Sequence, residues 1–137
     1  MYVIFGNEIV DSEEIKQLIT RNSEFVVEKD MSKATKREDV VAYKLSISID
    51  ILKKYIEEDF DLDSVDSEEI FTELMSTADE AAMELEEVMP DESILNARAY
   101  KWDNSDNAIK VIIAICNYEL GELKLSDVTK RLLAQID

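Results

Sequence analysis

Carboxylates are the side chains whose number and spacing in this chain point to chemistry. Residues 59–92 contain 14 aspartates and glutamates and no lysine or arginine, whereas residues 1–58 contain 12 acids and 9 bases and residues 93–137 contain 6 of each. The net charge of −17 therefore lies mostly in one segment. Carboxylates gathered in this way coordinate a cation, act as an acid–base pair, or present a negative surface to a basic protein.

The start of the acidic segment resembles part of a calcium-binding loop. Asp59, Asp61 and Asp63 match the first three oxygen ligands of an EF-hand. Ser64 stands where the loop needs glycine, and Ile70 stands where it needs a bidentate glutamate. The three aspartates are therefore a weak metal candidate, and the alternative is an acidic linker that favours the start of the next helix.

Most catalytic and cofactor chemistry is excluded by what the chain lacks. It has no histidine, which removes Ser-His-Asp and Cys-His nucleophiles, histidine-bearing zinc sites and Glu-x-x-His di-iron bundles. The single cysteine, Cys116, cannot form an internal disulfide or a thiolate cluster, and its apolar neighbours predict a buried structural thiol. No pair of acids is set apart for glycoside hydrolysis. We therefore predict no catalytic residues and no cofactor.

Residues 67–89 predict one amphipathic helix that ends before Pro90. At about 100° per residue its apolar residues fill one arc and its acids fill the other. We expect the following residues to be buried: Ile70, Leu74, Ala81, Leu85 and Val88. Five glutamates form a row about 27 Å long, here called the acidic ridge, which consists of Glu69, Glu73, Glu80, Glu84 and Glu87.

The acidic ridge carries like charges at helical neighbour positions. Glu69 and Glu73 are four residues apart, as are Glu80 and Glu84, and no base relieves either pair. Such pairs destabilise a helix by about 0.2–0.5 kcal/mol each. Two interpretations follow: the ridge only keeps the protein soluble, or it docks a basic partner. Met83 lies among these acids and fits a small apolar anchor inside a polar rim.

The remaining periodicities predict an all-α bundle of five or six helices in one domain, residues 1–137. Capping-box patterns start helices near Asp11 and Thr35, and a serine caps the last helix at Ser126. Residues 1–10 fit a two-residue hairpin or a short edge strand, and Glu24 to Glu28 fit a strand or a buried connection. The expected helices are 11–22, 35–58, 67–89, 93–102 (favoured over a strand), 105–120 and 126–136.

The charge and the apolar runs also bear on location. The longest later apolar run, Val111 to Cys116, has six residues, against about 20 for a transmembrane helix. The first residues carry no basic region typical of a signal peptide, which predicts a cytoplasmic protein. A strongly negative surface is repelled by nucleic acid phosphates and anionic lipids, so we expect no direct nucleic acid or membrane binding.

These observations favour a non-enzymatic protein-binding inhibitor. The expected class is an immunity, antitoxin or phage-inhibitor type of protein whose acidic helix occupies the basic, nucleic-acid-binding surface of a nuclease or toxin. The expected partner-binding residues are Glu69, Glu73, Glu80, Met83, Glu84 and Glu87. The alternatives are a divalent-metal-dependent enzyme or calcium-binding protein that uses the carboxylates of residues 57–69, and a helical adaptor protein.

Overall fold

The protein has a mixed α/β fold, so the predicted all-α bundle of five or six helices is wrong. The computed structural model describes residues 1–57 and 66–136. Short 3₁₀ turns lie at Lys33–Thr35, Glu84–Val88 and Tyr118–Leu120. The strands and helices of the described residues are β1 (Tyr2–Phe5), β2 (Glu8–Asp11), α1 (Ser12–Asn22), β3 (Val26–Asp30), β4 (Val40–Ser48), α2 (Ile49–Glu57), α3 (Ser67–Met83), β5 (Ser93–Asp103), β6 (Ala108–Asn117) and α4 (Glu122–Gln135).

Four strands form an antiparallel sheet in the order β3-β4-β6-β5, and β1 and β2 form a separate hairpin. The hairpin predicted for residues 1–10 is confirmed. Its turn is Gly6-Asn7, and Gly6 has a φ of 60°, a conformation that glycine adopts without steric cost. The segment around Phe25 leads into the edge strand β3, which agrees with the strand interpretation of that region.

The two central strands replace two predicted helices. The expected helix over 35–58 is β4 followed by the shorter α2, and the expected helix over 105–120 is β6. Residues Val40 to Tyr43 of β4 and Val111 to Cys116 of β6 are buried on both faces, so these stretches are apolar without alternation and a helical period fits them equally well. In β6, for example, Ile113 belongs to one core and Ile112 to the other.

Strand β5 replaces the helix favoured over residues 93–102. It pairs with β6 from Ser93 opposite Asn117 to Asp103 opposite Ala108. The connection is a tight turn in which the Asp106 amide donates to the Asp103 carboxylate over 3.1 Å and Asn107 has a φ of 51°. Aspartate and asparagine in such a stretch are typical of a hairpin turn. Within β5, pairing with β6 overrides the helix propensity of Leu95, Ala97 and Ala99.

Helices cover both faces of the sheet. Helices α1, α2 and α3 pack on one face and form the larger core, which includes Ile15, Leu52 and Leu74. Helix α4 packs alone on the other face through Leu125, Val128 and Leu132. The first predicted helix is confirmed with its cap, since Asp11 accepts a hydrogen bond from the Glu13 amide. The last helix starts at Glu122, one turn earlier than the serine cap predicted.

Within residues 1–57 and 66–136, no helix combines the length and the apolar character needed to cross a membrane.

Candidate functional site

Helix α3 is the element that positions the acidic residues singled out in the sequence. Its N-cap is Asp66, whose carboxylate accepts a hydrogen bond from the Glu69 amide over 2.9 Å. The α-helix ends at Met83, and a 3₁₀ turn follows it to Val88. The helix predicted over 67–89 is therefore α-helical only over its first 17 residues. Its inner face is anchored in the larger core by these buried residues: Leu74, Ala78, Ala82 and Leu85.

The outer face of this segment presents the acidic ridge to solvent. Four of the five ridge glutamates are exposed and Glu73 is half-buried. Met83 lies between them with 43% of its surface exposed. Of the residues expected to be buried, Leu74 and Leu85 are buried, whereas Ile70, Ala81 and Val88 are half-buried at the margin of the core. Glu69, Glu73 and Glu80 thus lie on α3 and Glu84 and Glu87 lie on the 3₁₀ turn after it, so the ridge is a negative surface on a segment that the core holds in place.

Two acids that the helical period assigned to the outer arc face the sheet instead. The Asp79 carboxylate accepts a hydrogen bond from the Ala99 amide over 2.6 Å, and the Glu86 carboxylate accepts one from the Leu95 amide over 3.2 Å. Both amides belong to β5, an edge strand whose outward N–H groups have no neighbouring strand. The carboxylates therefore satisfy edge amides that would otherwise be free for pairing with another chain.

Burial raises the pKa of the Asp79 carboxyl above its ordinary value of 3.8, although the Ala99 amide and the nearby charge of Arg98 act in the opposite direction. A raised folded-state pKa means that folding favours the protonated carboxyl. The contribution of Asp79 to stability therefore increases as the pH falls through the raised pKa, and it is complete below about 3.8. The hydrogen bond from the Ala99 amide offsets part of the cost of burying the charged carboxylate.

Two substitutions at Asp79 separate its charge from its hydrogen bond. We expect Asp79→Asn, which keeps an oxygen acceptor without the charge, to leave the free energy of unfolding at neutral pH unchanged or higher. Asp79→Ala leaves the Ala99 amide unpaired and should lower the free energy of unfolding by about 1–3 kcal/mol. Urea denaturation at pH 7 measures both, and an equal loss in the two variants would contradict a role for the acceptor oxygen.

A cleft of about 450 Å³ lies between α2 and the ridge. Three ridge glutamates line it, namely Glu73, Glu80 and Glu84, and Ile56 and Ala81 add apolar surface. Tyr55 lines it from α2, and the Tyr55 hydroxyl donates to the Glu24 carboxylate over 2.8 Å. We call this the α2–α3 cleft. Its α2 side was missed in the sequence because Tyr55 fell inside a long helix predicted to run from 35 to 58.

The ridge glutamates form no ion pair with a base of the described residues, whereas charged groups near the sheet do. Lys110, for example, is buried and bonded to the carboxylates of Glu28 and Asp106. Among residues 1–57 and 66–136, no ion pair includes a carboxylate from residues 66–92. The ridge glutamates therefore repel one another in the free protein, and solvent and salt are what screens them.

This arrangement predicts a salt dependence of stability. We expect the melting temperature to rise between low and moderate salt, because screening weakens repulsion within the ridge. A variant with Glu73, Glu80 and Glu84 changed to Gln should show a smaller rise, which differential scanning calorimetry can measure. A melting temperature that falls steadily over the same salt range would argue against a self-repelling ridge.

The described residues and the metal candidate of the acidic segment do not overlap. Residues 1–57 and 66–136 contain no group of three or more histidine, cysteine, aspartate or glutamate side chains arranged to hold a metal ion. The weak candidate formed by Asp59, Asp61 and Asp63 lies outside the described residues.

Two aromatic residues of β5 and the single cysteine pack in or against the two cores. Trp102 packs on the larger core and stacks on Phe71, with ring centroids 6.1 Å apart and planes inclined by 14°. Tyr100 packs against the core under α4. Cys116 is buried, and burial raises the pKa of its thiol to about 12, so the thiol stays protonated and unreactive.

No protein-family model, no curated protein and no solved structure matches the chain. The candidate site, which consists of the acidic ridge, Met83 and the α2–α3 cleft, therefore rests on its own geometry and charge.

Proposed function

We propose that the protein is a non-enzymatic inhibitor that docks a basic partner on the acidic ridge. The partner class is a nuclease or toxin whose cationic surface holds nucleic acid, and the ridge carboxylates take the place of phosphates on that surface. The observation that carries the proposal is a row of exposed glutamates with no counter-charge from residues 66–92. A basic partner would supply the missing charge.

The packing of α3 against the larger core supports this function. The opposite side of α3 is fixed in the larger core by Leu74, Ala78 and Ala82, which are 0% exposed. A backbone that is already held in place loses little conformational freedom on binding, so the ordering cost is confined to the side chains. A concentrated negative surface also attracts a positive partner over distance and speeds encounter.

Met83 supplies an apolar contact within this surface. It is 43% exposed, directly precedes Glu84 and lies three residues after Glu80 in the chain. Interfaces commonly combine a desolvated apolar centre with a polar rim, and the apolar centre sets the lifetime of the complex. We assign Met83 that part and the ridge glutamates the part of the rim. We also propose a cytoplasmic setting, because the one cysteine is a buried free thiol, as is usual in a reducing compartment.

The test is a capture experiment with a competitor. The immobilised protein is exposed to an extract of the source cell, with and without added double-stranded DNA, and the variant with Glu73, Glu80 and Glu84 changed to Gln is treated in parallel. We expect the wild-type protein to retain a basic, nucleic-acid-binding protein that DNA displaces, and the variant to retain much less of it. Equal retention by both proteins, or a retained protein that DNA does not displace, would contradict the proposal.

A further inference from the structure

We propose that the α2–α3 cleft receives an arginine side chain of the basic partner. This inference rests on the proposed function and adds which group the cleft selects. The carboxylates alone do not distinguish arginine from lysine or from a simple cation. The discrimination comes from the other walls of the cleft, which are aromatic and apolar.

The charge of the cleft selects a cation. Glu73, Glu80 and Glu84 line it: Glu73 and Glu80 are seven residues apart on one side of α3, and Glu84 directly follows the end of that helix. A guanidinium group can bond a carboxylate through two parallel N–H donors, and its remaining donors reach a neighbouring acceptor. The hydroxyl of Thr77, which also lines the cleft, is such an acceptor.

The aromatic wall favours a planar cation. Tyr55 is 46% exposed, lines the cleft, and has its hydroxyl bonded to Glu24 over 2.8 Å. That bond joins the hydroxyl end of the ring to α1 and β3, at Glu24 between them, and leaves the ring on the cleft side. A guanidinium stacks on an aromatic ring more readily than a hydrated ammonium does. The wall formed by Tyr55 therefore favours arginine over lysine.

The apolar surface of the cleft suits the stem of a long cationic side chain. Ile56 is 6% exposed, and it lines the cleft together with Ala81. Methylene groups of an arginine can cover such surface while the charged end stays among the carboxylates. A small metal ion would use none of this surface. The cleft volume of about 450 Å³ leaves space for the stem and for the partner backbone at the mouth.

The test uses three capped amino acids as probes: N-acetyl-arginine amide, N-acetyl-lysine amide and N-acetyl-citrulline amide. Each is titrated into ¹⁵N-labelled full-length protein and followed by NMR. We expect saturable shifts in the amides of Tyr55, Thr77 and Ala81 with the arginine probe, at a Kd of the order of 1 mM. Lysine should bind several-fold more weakly, and citrulline, which has the shape of arginine without its charge, should not saturate.

Variants locate the binding. Tyr55→Leu should weaken arginine binding about two- to fivefold. Glu80→Gln should also weaken arginine binding. Because this change leaves the Tyr55–Glu24 hydrogen bond in place, it tests the cleft even if Tyr55→Leu distorts it. Glu8→Gln removes an equal charge at an exposed position of β2, outside the ridge and the cleft, and should leave arginine binding unchanged. Saturable citrulline binding, or equal weakening by Glu8→Gln and Glu80→Gln, would overturn the inference.

The result also separates this inference from the proposed function. If the arginine probe causes no saturable shift in the cleft while the captured basic partner still depends on the ridge, the cleft assignment is wrong and the proposed function stands. If partner retention does not depend on the ridge, the proposed function is wrong, whatever the probe does.

Discussion

Changing Glu73, Glu80 and Glu84 together to Gln is expected to slow association with the basic partner about tenfold at low salt. The reason is that exposed charges steer the encounter between two proteins, whereas desolvated contacts set how long the complex lasts. The three side chains are exposed or half-buried, and glutamine is accepted on a helix surface, so folding should be intact. Stopped-flow or surface-plasmon kinetics with the captured partner measures the rate.

Met83→Ala provides the opposite signature. Truncation of this exposed residue removes apolar contact and leaves every charge in place, so dissociation should become faster while the salt dependence of association stays the same. A Met83→Ala variant that changed only the association rate would show that the residue is not an anchor. The pair of experiments thus assigns steering and anchoring to different side chains of one helix.

The second large effect concerns the attachment of α3. Leu74→Ala is expected to lower the free energy of unfolding by about 2–5 kcal/mol, because Leu74 is 0% exposed in the larger core and its truncation leaves a cavity. Thr72→Ala, at an exposed position of the same helix, is the control and should change stability by no more than about 0.5 kcal/mol. Urea denaturation measures both. A loss below about 1 kcal/mol for Leu74→Ala would mean that α3 is only loosely packed on the sheet.

The α3 segment was predictable because three independent signals agree there. Asp66 caps it, Pro90 follows it, and acids and apolar residues separate cleanly on a helical period. A helix with one face on the core and the other in solvent carries this contrast in its sequence. The position of the acidic ridge follows directly from that contrast.

The central sheet was not predictable from periodicity for the opposite reason. Residues Val40 to Tyr43 of β4 and Val111 to Cys116 of β6 are buried on both faces, so no polar residue marks an outer face there and the apolar run fits a helix or a strand. The second half of β4 does alternate, since Lys44, Ser46 and Ser48 are polar, and this was a strand signal. The better signals were the length of the run, its β-branched residues, and the turn at Asp103 to Asn107. The edge strand β5 adds helix-favouring alanines, which pairing with β6 overrides.

The candidate site divides in the same way. Its ridge half comes from one helix and follows from the sequence. Its other half depends on the chain turning at Ser48 from β4 into α2, which brings Tyr55 and Ile56 beside α3. The inward turn of Asp79 and Glu86 depends on β5 lying at the edge of the sheet. A helical projection contains neither fact, because both depend on tertiary packing.

The central claim is that the location of the charge on α3, and not the net charge of the protein, brings the partner. The most direct test compares two variants with the same net charge, −14 in place of −17. One changes Glu73, Glu80 and Glu84 to Gln, and the other changes three exposed glutamates on other elements to Gln, namely Glu8, Glu119 and Glu122.

The measurement is the association rate constant with the captured partner at low and moderate salt. We expect the ridge variant to associate about tenfold more slowly at low salt with a flatter salt dependence, and the second variant to stay close to wild type. Equal slowing in both variants would contradict the claim, because it would mean that only the overall charge matters.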